Sequence, residues 1–305
     1  MFKSLFSSKI EIPTLRLSGV IGNAGLMRSG LNLASLDKLI DKLFSDKKSP
    51  AVALILNSPG GSPTQSSLIA EKIIKKSKEN NKQVISFVED VAASGGYWLA
   101  CASDEIYIDT NSILGSIGVI SPGFGFVELI KKLGVERRVY TSGKSKSFLD
   151  PFKEAKHEDI DRLKKIQEQI HENFISYVKS RRGSKIREEN SDEVFSGLFW
   201  VGQKAVDLGL ADGIGSINNI IEKKFGKKAK IKIIDQKKSF IQKKLSSSLI
   251  DSDAIITNGL RDSKIIKSIH TQKKIFEIPY AINSKKYNLS KNMNITIGIP
   301  GSIDP

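Results

Sequence analysis

The chain has 305 residues, of which 39% are hydrophobic, 27% charged and 7% aromatic, a composition that can bury a core and excludes an intrinsically disordered polypeptide. One cysteine, Cys101, and three histidines, His157, His171 and His270, exclude an internal disulfide and leave too few thiolate and imidazole ligands for a zinc site. The formal charge of +15 is uneven: Asn218 to Pro305 holds 18 Lys and Arg against 7 Asp and Glu, a net +11, which reads as a solvated lysine-rich segment.

Residues 1–13 read as a flexible N-terminal segment. Phe2, Leu5 and Phe6 beside Lys3 and Lys9 form at most one short amphipathic turn for peripheral membrane contact. No stretch reaches the roughly 20 apolar residues of a membrane span, and the N-terminus has no signal-peptide core. The expected location is therefore cytoplasmic or peripheral on the inner membrane.

A strand is expected from Leu15 to Val20, then a helix carrying Leu33, Leu36, Ile40 and Leu43. Ala51 to Leu56 is an unbroken apolar run of buried-strand length, ending at Ser58-Pro59-Gly60-Gly61. Ser62 suits the N-cap and Pro63 the first position of the helix that follows. Val84 to Val88 predicts another strand, turning through Ala93-Ser94-Gly95-Gly96 into a short apolar helix around Tyr97 to Ala102. Strands at Ile106 to Ile108 and Val139 to Tyr140 flank a helix near Val127 to Leu133. A long charged helix from Glu158 to about Arg182 could pack on a partner chain. A last helix after Ser216 and a strand from Ala229 to Ile234 complete residues 14–235. Strands alternating with helices imply an α/β domain on a mostly parallel sheet. Residues 236–305 read as a basic, poorly ordered appendage with one strand near Asn294 to Ile299.

Two junctions could carry chemistry. Gly60-Gly61 leaves free N–H groups at a helix start, as an oxyanion site needs, although a tight turn alone also calls for glycine. Ser94 sits on a strand-to-helix turn with two glycines after it, the setting of a nucleophile elbow, although a helix N-cap also favours serine. A serine nucleophile needs a base. His157 lies in an acidic stretch, His171 within the long helix and His270 in the tail, so a Ser-His-Asp triad is hard to assemble. The remaining candidate is a lysine. Its pKa must fall from about 10.4 to roughly 7 or 8, which takes about 3 to 4 kcal/mol of desolvation in a buried site.

The motifs S-P-G-G at 58–61, A-A-S-G-G-Y at 92–97, G-S-I-G-V at 115–119, G-K-S-K at 143–146 and G-L-A-D-G-I-G at 209–215, in this order, resemble the signal peptide peptidase A-like serine peptidases, family S49. The resemblance runs from about Leu15 to Asp235. It implies a spiral of repeated β-β-α units like that of the Clp protease and crotonase groups, with a Ser/Lys dyad. Ser94 then corresponds to the nucleophile and Lys146 to the general base, with Lys144 as the alternative base. The N–H groups of Gly61 and Ser94 would hold the oxyanion, Ser116 would orient the lysine, and Gly60, Gly95 and Gly96 would line the substrate cleft, with Tyr97 either core packing or part of that cleft. The implied reaction is hydrolysis of hydrophobic peptides, such as cleaved signal peptides, through an acyl-enzyme, with no metal or organic cofactor. The implied assembly is a homo-oligomeric ring that shares its active sites between subunits. The competing readings are a crotonase-like acyl-CoA enzyme, which needs neither Ser94 nor Lys146, and a catalytically idle membrane-associated scaffold. Few aromatics interleave with the tail lysines, which disfavours nucleic acid as a partner.

Overall fold

A computed structural model describes residues 10–22, 30–143 and 146–235, together with three strands further on. The chain divides into two compact units, residues 1–235 and 236–305. In the first, β1 (Glu11–Ser18), α1 (Leu33–Phe44), β2 (Ala51–Ser58), α2 (Pro63–Asn80), β3 (Gln83–Ala93) and α3 (Gly95–Ala100) alternate strand and helix. Then come β4 (Glu105–Ile108), β5 (Ile113–Gly115), α4 (Val127–Lys132), α5 (His157–Arg182), α6 (Ser191–Val194), β6 (Phe199–Val201), α7 (Gly202–Asp207), β7 (Gly213–Ile214), α8 (Ile217–Phe225) and β8 (Lys230–Ile233).

These eight strands form one sheet in the order β6-β5-β3-β2-β1-β8, with β4 beside β3 and β7 beside β4. Every pair is parallel except β5 with β6. The fold is thus α/β on a mostly parallel sheet. Strand β3 is shared: Ile85 to Val88 pair with β4, whereas Val91 to Ala93 pair with β5. That fork puts the C-terminal end of β3, and Ser94 after it, directly beside the Gly115 end of β5.

The unbroken apolar run of β2 is explained by burial on both faces. Val52, Leu54 and Leu56 join the larger core under α1, α2, α3 and α5, while Ala51 and Ala53 join a smaller one with Ile12, Ile85, Phe87 and Ile221 of α8. Each fully buried Leu or Ile contributes about 1.5–3 kcal/mol. The caps are as sequence chemistry requires: Asn32 Oδ1 accepts from Ser35 N–H at 2.9 Å, and Ser62 Oγ from Gln65 N–H at 3.3 Å ahead of Pro63.

Three expectations are corrected. Strand β1 begins at Glu11, where Leu15 was expected: Glu11 to Pro13 pair with β8, and Ile12 is fully buried. Pro13 is tolerated because pairing with β2 starts only at Thr14. Val139 and Tyr140 form no strand, because they have no neighbouring strand to pair with, and Tyr140 is 91% exposed. The second unit contains three parallel strands, β9 (Ala254–Thr257), β10 (Lys274–Glu277) and β11 (Ile295–Ile297), in the order β10-β9-β11, where one was expected. The expected amphipathic turn at Phe2 to Lys9, and the order of the remaining tail, lie outside the described residues. Among the described residues no helix is long and apolar enough to cross a membrane, and no cluster of His, Cys, Asp and Glu could hold a metal ion.

Candidate active site

Ser94 joins β3 to α3 with φ 52° and ψ −123°, a strained region for a residue with a side chain. The strain is held from both ends: Ser94 N–H donates to Gly115 O at 2.8 Å, and Ser94 O accepts from Trp98 N–H at 3.0 Å. Its hydroxyl caps nothing and makes no hydrogen bond to another described residue, so the N-cap alternative falls away. Trp98 in turn stacks on Phe174 and Tyr177 of α5, with ring centroids 4.7 and 4.9 Å away. The nucleophile turn therefore rests on packed aromatic rings.

Gly60 approaches this turn so closely that a Cβ there would lie 2.8 Å from Ser94 Cβ, Gly95 N and Ala93 O, at φ +100°. Its position is fixed by Ile21 N–H donating to Gly60 O and Ser62 N–H donating to Ile21 O. We expect Gly60→Ala to cost about 1–3 kcal/mol from backbone strain and to displace the Ser94 hydroxyl. Thermal denaturation together with active-site labelling checks this, the labelling falling by more than the loss of folded protein explains.

Of the two N–H groups expected to hold an oxyanion, only that of Gly61 is without an acceptor among the described residues. The N–H of Ser94 is already engaged by Gly115 O. Gly61 N–H donates to no other described residue, and Gly95 opens α3, so its N–H has no intrahelical acceptor. The free pair is Gly61 and Gly95. This is also the elbow rule, in which the residue after the nucleophile supplies the donor.

A cavity of about 630 Å³ is lined by Pro59, Gly61, Pro63, Ser94, Ser116, Gly118, Val119, Ile120, His171, Ser196 and Gly197. Ser116 also has a positive φ, 51°, and its N–H donates to Leu198 O at 2.6 Å. Of the expected cleft residues, Gly60, Gly95 and Gly96 are buried and are not among the residues lining this cavity. A Cβ at Gly96 would meet Ser58 O at 2.3 Å, so that glycine serves close packing of α3 on β2. Tyr97 is fully buried and donates its hydroxyl to Leu210 O at 3.0 Å; it is core and does not line the cleft. Cys101, equally buried, has its thiol pushed up to about 12 by desolvation and is inert packing.

Lys146 does not line this cavity. It is exposed in a turn closed by its own N–H to Gly143 O at 3.2 Å. Lys144 lies outside the described residues. No described residue from Val119 to Lys156 is buried, although the segment carries Ile120, Phe124, Leu129, Leu133, Val135 and Tyr140 at the surface. Sequence reasoning set His171 aside for lying within a helix, yet it lines the cavity. The signal that could have found it is spacing: His171, Phe174, Val178 and Arg182 fall on one stripe of α5.

The family model described as Peptidase family S49 matches residues 76–232. A putative protease (slr0021) of Synechocystis sp. is 34% identical over 210 residues, 69% of this chain and 72% of that protein. A putative signal peptide peptidase SppA of Enterococcus faecium is 30% identical, over 68% of this chain and 61% of that protein. A Brucella abortus protein named Na(+)/H(+) antiporter NhaA is 50% identical over 246 residues, 80% of this chain. The chain spans only a third of the length of that relative. The chain belongs to peptidase family S49.

Proposed function

We propose that this chain is a serine endopeptidase that hydrolyses hydrophobic peptides through an acyl-enzyme on Ser94, with Lys146 as general base delivered by a neighbouring copy of the chain. The observation that carries this reading is Ser94 itself: an unpartnered hydroxyl, held on a strained elbow between glycine N–H donors, opening on a cavity. Strands β1, β2 and β3 with α1, α2 and α3 are consistent with the spiral of the Clp and crotonase groups.

In the reaction, neutral Lys146 Nζ takes the Ser94 proton as Oγ bonds to the scissile carbonyl carbon. The carbonyl oxygen becomes an oxyanion on the N–H groups of Gly61 and Gly95, each such donor being worth about 2.7–4 kcal/mol in other enzymes. Collapse breaks the C–N bond, and the lysine ammonium returns the proton to the leaving amine. The lysine then deprotonates a water that attacks the ester, and Ser94 leaves with its proton restored. Ser116, on the cavity wall, is placed to accept from the lysine amine and orient it. Among the described residues no lysine lines the cavity, and the exposed apolar arm carrying Lys146 supports a second copy as the partner.

Treatment of the assembled protein with a fluorophosphonate, read by intact mass, tests the nucleophile. We expect one adduct per chain, absent from Ser94→Ala. A fully assembled protein that takes up no label, or that labels equally as Ser94→Ala, overturns the peptidase reading and returns the fold to an acyl-CoA or scaffold role.

A further inference from the structure

His171 is the one ionisable side chain lining the Ser94 cavity among the described residues. Its Nε2 lies 2.8 Å from Ile117 O, and because a carbonyl oxygen only accepts, Nε2 carries the proton. Ile117 is fully buried, so this carbonyl depends on a protein donor. The loop that contains it connects two parts of the site. Gly115 O holds Ser94 N–H, and Ser116, at a positive φ, reaches the cavity. From the other side the loop is tied by Ser116 N–H to Leu198 O. The imidazole also stands between this cavity and a smaller one of about 170 Å³ lined by Val119, Lys164, Gln167, Glu168 and His171.

We propose that His171 is a positioning residue for the reaction at Ser94: its Nε2–H, donated to Ile117 O, holds the Gly115 to Val119 loop in the register that places Ser94 and Ser116. This rests on the reading of Ser94 as nucleophile. The role needs a donor and not a titrating group, since the Nε2–H tautomer and the imidazolium both donate to Ile117 O. The ring lies one turn before Phe174, which stacks on Trp98, so the helix that packs the nucleophile's own helix also sets the loop beside it. A displacement of 1 Å at such a site costs on the order of 10²-fold in rate.

The test measures kcat, KM and their pH profiles for the assembled wild type, His171→Ala, His171→Phe and His171→Gln, with Ser94→Ala as the blank. His171→Phe keeps the ring volume and removes the donor, whereas the amide nitrogen of His171→Gln can donate to the same oxygen and does not titrate. We expect kcat to fall about 10- to 100-fold in the Ala and Phe variants with KM within about twofold. The Gln variant should stay within about threefold of wild type with the same pH profile. If His171→Gln is as impaired as His171→Phe and the acid limb of the profile disappears, the imidazole moves a proton and the positioning role is overturned. Wild-type rates in His171→Phe overturn it equally. Activity surviving in Ser94→Ala would instead sink the peptidase reading, a separate outcome.

Discussion

Lys146→Ala is expected to lower kcat/KM by about 10²- to 10⁴-fold, the range of a lost general base, while Lys144→Ala stays close to wild type. Mixing Lys146→Ala with Ser94→Ala chains should restore activity that neither has alone. The reason is that Lys146 and the Ser94 cavity are separate within one chain. Lys146 sits on an arm with its own small clasp: Phe126 N–H donates to Pro151 O at 2.6 Å, and Arg137 lies 3.2 Å from the Asp150 carboxylate and 4.6 Å over the Phe152 ring. The arm is thus shaped within one chain, but its apolar residues face outward, Ile120 at 83% and Phe124 at 81% exposure, as the proposed docking on a second copy requires. If each site takes Ser94 from one chain and Lys146 from its neighbour, random one-to-one mixing in a head-to-tail ring leaves about a quarter of the sites intact. Assay of co-refolded chains, with mixing verified by native mass, reads this directly. Verified mixed rings without any activity would mean that each chain completes its own site.

Much of the fold was legible because it follows from local chemistry. The N-cap Ser62 with Pro63, the apolar run of β2 and the length of α5 each depend on neighbours in sequence, and each stands where the residues predicted. The sheet order was not legible, because the fork of β3 between β4 and β5 depends on contacts remote in sequence. Three-residue strands such as β5 and β6 carry too little periodicity to be read. At the site, Ser94, Gly61 and Ser116 were recognisable from motif frames, and all three line one cavity. Sequence cannot show that Gly115 O occupies the Ser94 amide, which leaves the Gly95 N–H as the donor proposed beside Gly61. Sequence left Tyr97 open between core and cleft, and helical rotation turns it into the core to meet Leu210. His171 was missed because a helical histidine becomes a cavity residue only through the packing of its helix.

Asp212→Ala is expected to destabilise the protein by about 3–5 kcal/mol, the cost of stranding a buried charge. Arg182 is 2% exposed at its side chain and donates through Nη1 to Asp212 at 2.8 Å and through Nε and Nη2 to Gly209 O. Asp212 also accepts from Ile106 N–H at 2.8 Å and pairs with Lys185 at 2.6 Å. Removing Asp212 leaves the Arg182 guanidinium buried against one carbonyl. Removing Arg182 leaves Asp212 with two partners, so Arg182→Ala should cost less through charge, although it also loses a packed aliphatic stem. Burial alone would raise the Asp212 pKa, but hydrogen bonds from Arg182 and Lys185, with the charge of Arg182, hold it below the ordinary aspartate value. A depressed carboxylate contributes stability that is fully present above its unfolded value, about 3.9, and is lost as pH falls through the lower folded value. The difference between wild type and Asp212→Asn should therefore be constant near neutrality and shrink below about pH 4. Calorimetry checks both points, with a fall in Tm on the order of 10 °C at pH 7 for Asp212→Ala. Because Arg182 closes the stripe of α5 that begins at His171, this ion pair secures the C-terminal end of that helix. Labelling of Ser94 well below the melting range should persist in Asp212→Ala. Loss of labelling in the folded variant would show that the Gly209 corner is coupled to the nucleophile rather than only to the stability of the fold.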